Sequence, residues 1–92
     1  MVDTPTEVTG YDVVTPDKKR IGRVVAAQGD YLIVETGVLK KARHALPGHL
    51  AYADPDRQLL LIQMSKTILR ESPQVGHDGS FDEESVAAYY GS

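Results

Sequence analysis

"RIGRVVAAQGDYLIVET", residues 20–36, decides the fold. Two runs rich in β-branched and aromatic residues flank Gln28-Gly29-Asp30, a pattern that predicts two strands joined by a hairpin turn. In the first run, alternation places Ile21, Arg23 and Val25 on one face and Gly22, Val24 and Ala26 on the other. A glycine inside such a run marks a bulge or a close backbone approach, and Gly22 therefore suits a sharply curved sheet.

Working outward, "YDVVT" (11–15) reads as an earlier strand, separated from the first run by the turn "PDKK" (16–19). After Gly37, "VLKKARHALP" (38–47) reads as a strand that ends at Pro47, because proline cannot donate to a ladder. Leu39, Lys41, Arg43 and Ala45 share one face there and Lys40, Ala42, His44 and Leu46 the other, so neither face is cleanly apolar and an exposed edge strand is expected. Leu50 and Tyr52 are expected to anchor the next connection, with "DPDR" (54–57) as a turn. "QLLLIQM" (58–64) is a continuous apolar run and predicts a strand buried on both faces.

"SKTILRESP" (65–73) predicts one or two helical turns, with Ser65 as the cap, Ile68 and Leu69 packed inward and Pro73 beyond the end. "QVGHDGS" (74–80) reads as a linker. "SFDEESVAAYYG" (80–91) carries Ser80 and Glu83 at capping-box spacing, acids in the first turn and Gly91 past the end. The expected division is a frayed leader over 1–8, a domain over 9–73, a linker over 74–80 and a C-terminal helix over 81–91. The fold class expected is all-β, a small five- to six-stranded barrel with a short helical turn and an appended C-terminal helix, since closing a sheet removes exposed edges.

The chain of 92 residues has an ordinary globular composition, 41% hydrophobic and 25% charged. It contains no cysteine, which excludes disulfides and thiolate chemistry. No apolar run approaches the ~20 residues that span a bilayer, and the first residues lack a signal-like apolar stretch. A cytoplasmic protein without a membrane span is the expectation. The net charge of -3 is unevenly placed: residues 16–49 hold seven Lys and Arg against three acids, and residues 50–92 hold three against seven.

The stretches "GYDVVTPDKKRIGRVV", "YLIVETG" and "HALPGHLAYADPDRQLLLIQMSKTILRESP" together resemble the PRC-barrel family. Its members include the cytoplasmic domain of the photosynthetic reaction-centre H subunit, the C-terminal domain of the ribosome-maturation factor RimM and small stand-alone proteins. The resemblance rests on Gly10-Tyr11-Asp12-Val13, Ile21-Gly22-Arg23-Val24, Leu46-Pro47, the apolar strand Leu59 to Ile62 and the segment Ser65 to Pro73. The first turn departs from the family's usual Asp-Gly, and the segment between the second and third strands is short. The resemblance implies a small β-barrel acting as an adaptor or assembly module, often dimeric, with no shared enzymatic chemistry.

Candidate sites follow from residue chemistry. Lys18, Lys19, Arg20, Arg23, Lys40, Lys41 and Arg43 would form a basic partner-binding edge if the second and fourth strands lie close together. Phosphate contacts need such clustering, but the negative net charge and lack of an RNA-binding motif make nucleic acid the weaker reading. Phe81, Val86, Tyr89 and Tyr90 are apolar positions of the C-terminal helix able to dock on their own barrel, a twin or another protein. The partner expected is a protein, foremost a second copy of the chain; the alternatives are a ribosome- or RNA-associated maturation factor using the basic middle strands and a metal- or small-ligand-responsive barrel. His44, His49 and His77 have no compact ligand spacing, so they read as surface or turn histidines and no metal or cofactor is expected. Asp54, Asp56, Glu71 and Asp82 to Glu84 are not paired for acid–base work, and Ser65, Ser72 and Ser80 lack a nucleophile-elbow context, so no catalysis is expected.

Overall fold

The computed structural model describes residues 8–37, 41–76 and 78–91. Six strands follow in order, β1 (Asp12–Val14), β2 (Arg20–Gln28), β3 (Tyr31–Thr36), β4 (Ala42–Pro47), β5 (Ala51–Asp54) and β6 (Leu59–Ile62), and then two helices, α1 (Lys66–Arg70) and α2 (Glu83–Tyr89). They form one sheet in the order β4-β3-β2-β1-β6-β5, antiparallel except for the parallel β1–β6 pair. The outermost strands, β4 and β5, are joined by the single 3-10 turn Gly48–Leu50. Six strands laid flat would put those edges ~24 Å apart, whereas four residue steps reach at most ~15 Å. The sheet must therefore curl, and it forms a half-barrel.

The curl originates in β2. Its register slips against β1 between Val13 and Val14, leaving Ile21 as an extra residue, and against β3 between Val24 and Ala26, leaving Val25 as a second. Each bulge resets the alternation and sharpens the local bend. Ile21 and Val24 consequently both face the concave core, while Val25 and Ala26 pack on the convex side. This overturns the simple alternation read from the sequence. Gly22 sits between the bulges, where a Cβ would come 2.3 Å from the Glu35 carbonyl oxygen. Only glycine fits that approach of β2 to β3.

The concave core gathers Val13, Ile21, Val24, Leu32, Val34, Leu46, Leu60 and Ile62, closed at one end by Leu69 of α1. Burying each such side chain contributes about 1.5–3 kcal/mol. Val8, assigned to the leader from the sequence, is buried in this core, and residues 1–7 lie outside the described residues. The strand β6 alternates instead of being buried on both faces: Leu60 and Ile62 point inward, Leu59 and Leu61 are half-buried. Opposite them β5 turns the small Ala51 and Ala53 inward and Tyr52, paired with Leu61, outward, so the expected anchor Tyr52 is 67% exposed. Likewise α1 presents a single residue to the core: Leu69 is buried and Ile68, one position back, is 45% exposed.

A second cluster covers the convex face, where Ile33 and Ala45 meet Val75 and Val86 with Tyr31, Phe81 and Tyr90 around them. Residues 74 and 75 run along the free edge of β4, with Gln74 bridging His44 and the Val75 amide donating to the Arg43 carbonyl at 2.8 Å. The strand β4 is thus an edge by topology but not an exposed one, because His44, Ala45, Leu46 and Pro47 are all buried. The cap of α2 is Asp82, which accepts from the Glu84 amide, and not Ser80, whose hydroxyl bonds Asp78. Gly91 adopts φ +81 just past the helix end, the conformation glycine supplies at that position. In the β1–β2 turn, Lys18 takes φ 66, a conformation rarely adopted by residues with a Cβ. No helix among the described residues is long and apolar enough to cross a membrane.

Candidate functional site

The curl leaves a groove of about 520 Å³ where the ends of β2, β3 and β4 face α1. Its charged lining is Arg20, Arg23, Lys41, Lys66 and Arg70 against the single carboxylate Glu35. The register explains why the sheet cations converge. Arg23 of β2 lies opposite Glu35 of β3, and Glu35 lies opposite Arg43 of β4, so one row across the sheet reads cation, anion, cation. Glu35 accepts from Arg43 Nε at 3.4 Å and has Lys41 Nζ at 3.9 Å. Arg20 is paired with Asp12 at 2.9 Å. Among the described residues, no carboxylate lies within ion-pair distance of Arg23, Lys66 or Arg70.

Of the basic edge expected from the sequence, Arg20, Arg23 and Lys41 line this groove, and Arg43 lines an adjoining one of about 490 Å³. The second and fourth strands are not neighbours, since β3 separates them and contributes Glu35. Lys18 and Lys19 lie in the β1–β2 turn, with Lys19 3.9 Å from Asp17, and are not among the groove residues. Lys40 lies outside the described residues. Lys66 and Arg70 were not foreseen. They sit at i and i+4 of α1, on one side of the helix, and that spacing after the Ser65 cap was the available signal.

Of the C-terminal residues expected to dock, Phe81, Val86 and Tyr90 pack on the chain's own sheet. Val86 is fully buried against Ile33 and Ala45, and Phe81 meets Tyr31 edge-on with ring centroids 5.3 Å apart. Tyr90 donates its hydroxyl to the Ala45 carbonyl at 3.2 Å, and burial pushes that hydroxyl's pKa above its ordinary value. Tyr89 donates to the Ile68 carbonyl and is 36% exposed, so it is the most open of the four.

His44 is buried beside the groove, contrary to the surface position expected for it. The Ser72 hydroxyl donates to the Leu69 carbonyl at 2.6 Å, so its oxygen is left to accept. His44 Nδ1, 3.1 Å from that oxygen and 3.2 Å from the Ser72 carbonyl, must then carry the proton. This bond ties β4 to the end of α1. Burial depresses the imidazole pKa below its usual value, the Ser72 carbonyl opposes this, and the Arg70 guanidinium adds to the depression.

A folded-state pKa below the unfolded value of 6.5 means the unfolded chain takes up the proton first. Stability is then fully present above that value and declines as pH falls beneath it. Asp17 and Asp82 are also lowered, from 3.8, by hydrogen bonds from Thr15 and Ser85 respectively, so their contributions are lost only in stronger acid. Urea unfolding should therefore give a lower midpoint at about pH 5 than at pH 7, and His44→Gln should remove most of that difference. An unchanged difference in the variant would assign the effect to another group.

His49 is exposed, His77 lies outside the described residues, and no cluster of metal-ligating side chains occurs among the described residues. No protein-family model matches the chain, and no curated protein matches it either.

Proposed function

We propose that the protein is a non-catalytic assembly adaptor of PRC-barrel-like type, working as a homodimer, whose basic groove holds an acidic segment of a protein. One observation carries this reading. Arg23, Lys66 and Arg70 converge from two elements on one groove with no carboxylate of their own within ion-pair distance among the described residues. Cations gathered this way repel one another until an anion enters, so the groove favours an anionic occupant over a neutral one. Among the described residues the lining includes no phenylalanine, tyrosine or tryptophan on which a base could stack, which favours carboxylates over single-stranded RNA.

The test is binding of a fluorescent hexaglutamate peptide, with a single-stranded RNA of similar charge as the competing arm. The peptide should bind at low salt, and Lys66→Glu with Arg70→Glu should weaken it at least about tenfold, the equivalent of ~1.4 kcal/mol. Tighter binding of the RNA, lost in the same variant, would favour a ribosome- or RNA-associated role. Binding of neither would end the groove reading.

A further inference from the structure

The strongly acidic stretch of the chain is docked at the β2–β3 hairpin, the other end of β2 from Arg20. From residue 71 onward the sequence has five acidic residues and no Lys or Arg. Four of them, Asp78, Asp82, Glu83 and Glu84, lie in and before the first turn of α2. Two contacts fix where that turn sits. Gln28 Nε2 donates to the Gly79 carbonyl at 2.7 Å, and Phe81 packs on Tyr31, the residue opposite Gln28. Gln28 ends β2, whereas Arg20, at the start of the same nine-residue strand, lines the groove. At about 3.3 Å per residue, less some shortening at the bulges, the two ends of β2 are roughly 20 to 25 Å apart. Asp30, in the turn after Gln28, adds a fifth carboxylate to the acidic end.

Within one chain the docking of Val86 and Phe81 holds the first turn of α2 in place, in no ion pair with the groove's cations among the described residues. Glu83 and Glu84 are exposed and lie in no ion pair among the described residues. The molecule therefore presents an acidic and a basic surface that are not paired within one chain and that can meet between two molecules.

Resting on the groove reading above, we infer that the acidic segment held in the groove is the first turn of α2 from a second copy, the two chains lying antiparallel so that each fills the other's groove. An antiparallel pair closes with two identical contacts, whereas head-to-tail stacking would leave one groove and one acidic turn open at each filament end. Exposed charge pairs are individually weak, so the dimer should be salt-sensitive and form at high protein concentration.

Sedimentation of the full chain tests this with two charge-reversed variants, Glu83→Lys with Glu84→Lys, and Lys66→Glu with Arg70→Glu. Wild type should dimerise at about 20 mM salt and dissociate at about 300 mM, where screening is within ~6 Å. Each variant alone should stay monomeric, and an equimolar mixture should re-form a dimer, because the reversed acidic turn of one then matches the reversed groove of the other. Circular dichroism matching wild type establishes that both variants are folded. A mixture that stays monomeric, or a wild type that stays monomeric at low salt, overturns the inference. If hexaglutamate still binds wild type and not the groove variant in that case, the groove reading survives; if it binds neither, both fall.

Discussion

Gly22→Ala should lower the free energy of unfolding by about 3 kcal/mol, the upper range for overpacking a well-fitted site. For a domain of this size that is a fall in Tm of roughly 12 to 24 °C. The added methyl would stand 2.3 Å from the Glu35 carbonyl oxygen and 3.2 Å from both the Glu35 carbonyl carbon and Thr36 Cγ2. The first two are backbone atoms of β3, which cannot rotate away as a side chain end would. Relief requires β2 and β3 to separate where the bulges at Ile21 and Val25 set the curl, so the strain reaches the groove as well. Arg23→Ala, one residue along and exposed, should change stability by no more than about 0.5 kcal/mol. Thermal melts of both variants check this, and equal melts for Gly22→Ala and wild type would contradict the close approach of the two strands.

Val86→Asp should cost a similar amount, about 3 kcal/mol, by a different route. Val86 is fully buried between α2 and the convex face at Ile33 and Ala45. A carboxylate there would lose its hydration with no partner, which costs more than undocking the helix, so the loss is capped by the docking energy of the segment. The expected signs are a lowered Tm, dye binding to the uncovered apolar face and loss of the Tyr90 bond to Ala45. Ala88→Asp, on the exposed side of the same short helix, should leave the melt within about 0.5 kcal/mol of wild type. Equal behaviour of the two variants would mean that α2 does not pack on this face.

The strands β1, β2 and β3 were legible as short β-branched or aromatic runs between turn signals, β4 through its stop at Pro47 and β6 as an apolar run, whereas β5 (Ala51–Asp54), with two alanines and one aromatic, read only as a connection. Gly22 also announced itself, since a glycine in a strand interior needs a backbone reason. The two bulges were not legible: which residue is extra depends on the partner strand's register, and Ile21 and Val25 look like ordinary alternating positions. Tyr52 misled for a related reason, because apolar content alone does not tell which face of β5 meets the core when small alanines fill it. His44 read as a surface residue because the groups that bury it, Ser72 and Gln74, are distant in sequence. Part of the groove was visible as Arg20, Arg23 and Lys41. Lys66 and Arg70 were missed because α1 was read for its core residues and not for the side it turns toward β2.

In the proposed function the cations of β2, β4 and α1 act together on one anionic occupant. Following amide resonances of the full chain during hexaglutamate titration tests it most directly. Saturable shifts concentrated at Gly22, Arg23, Lys41, Lys66 and Arg70 are expected, fading as salt is raised, while the turn at Lys18 and Lys19 stays still. Shifts spread evenly over all exposed lysines and arginines, or centred on Lys18 and Lys19, would contradict it.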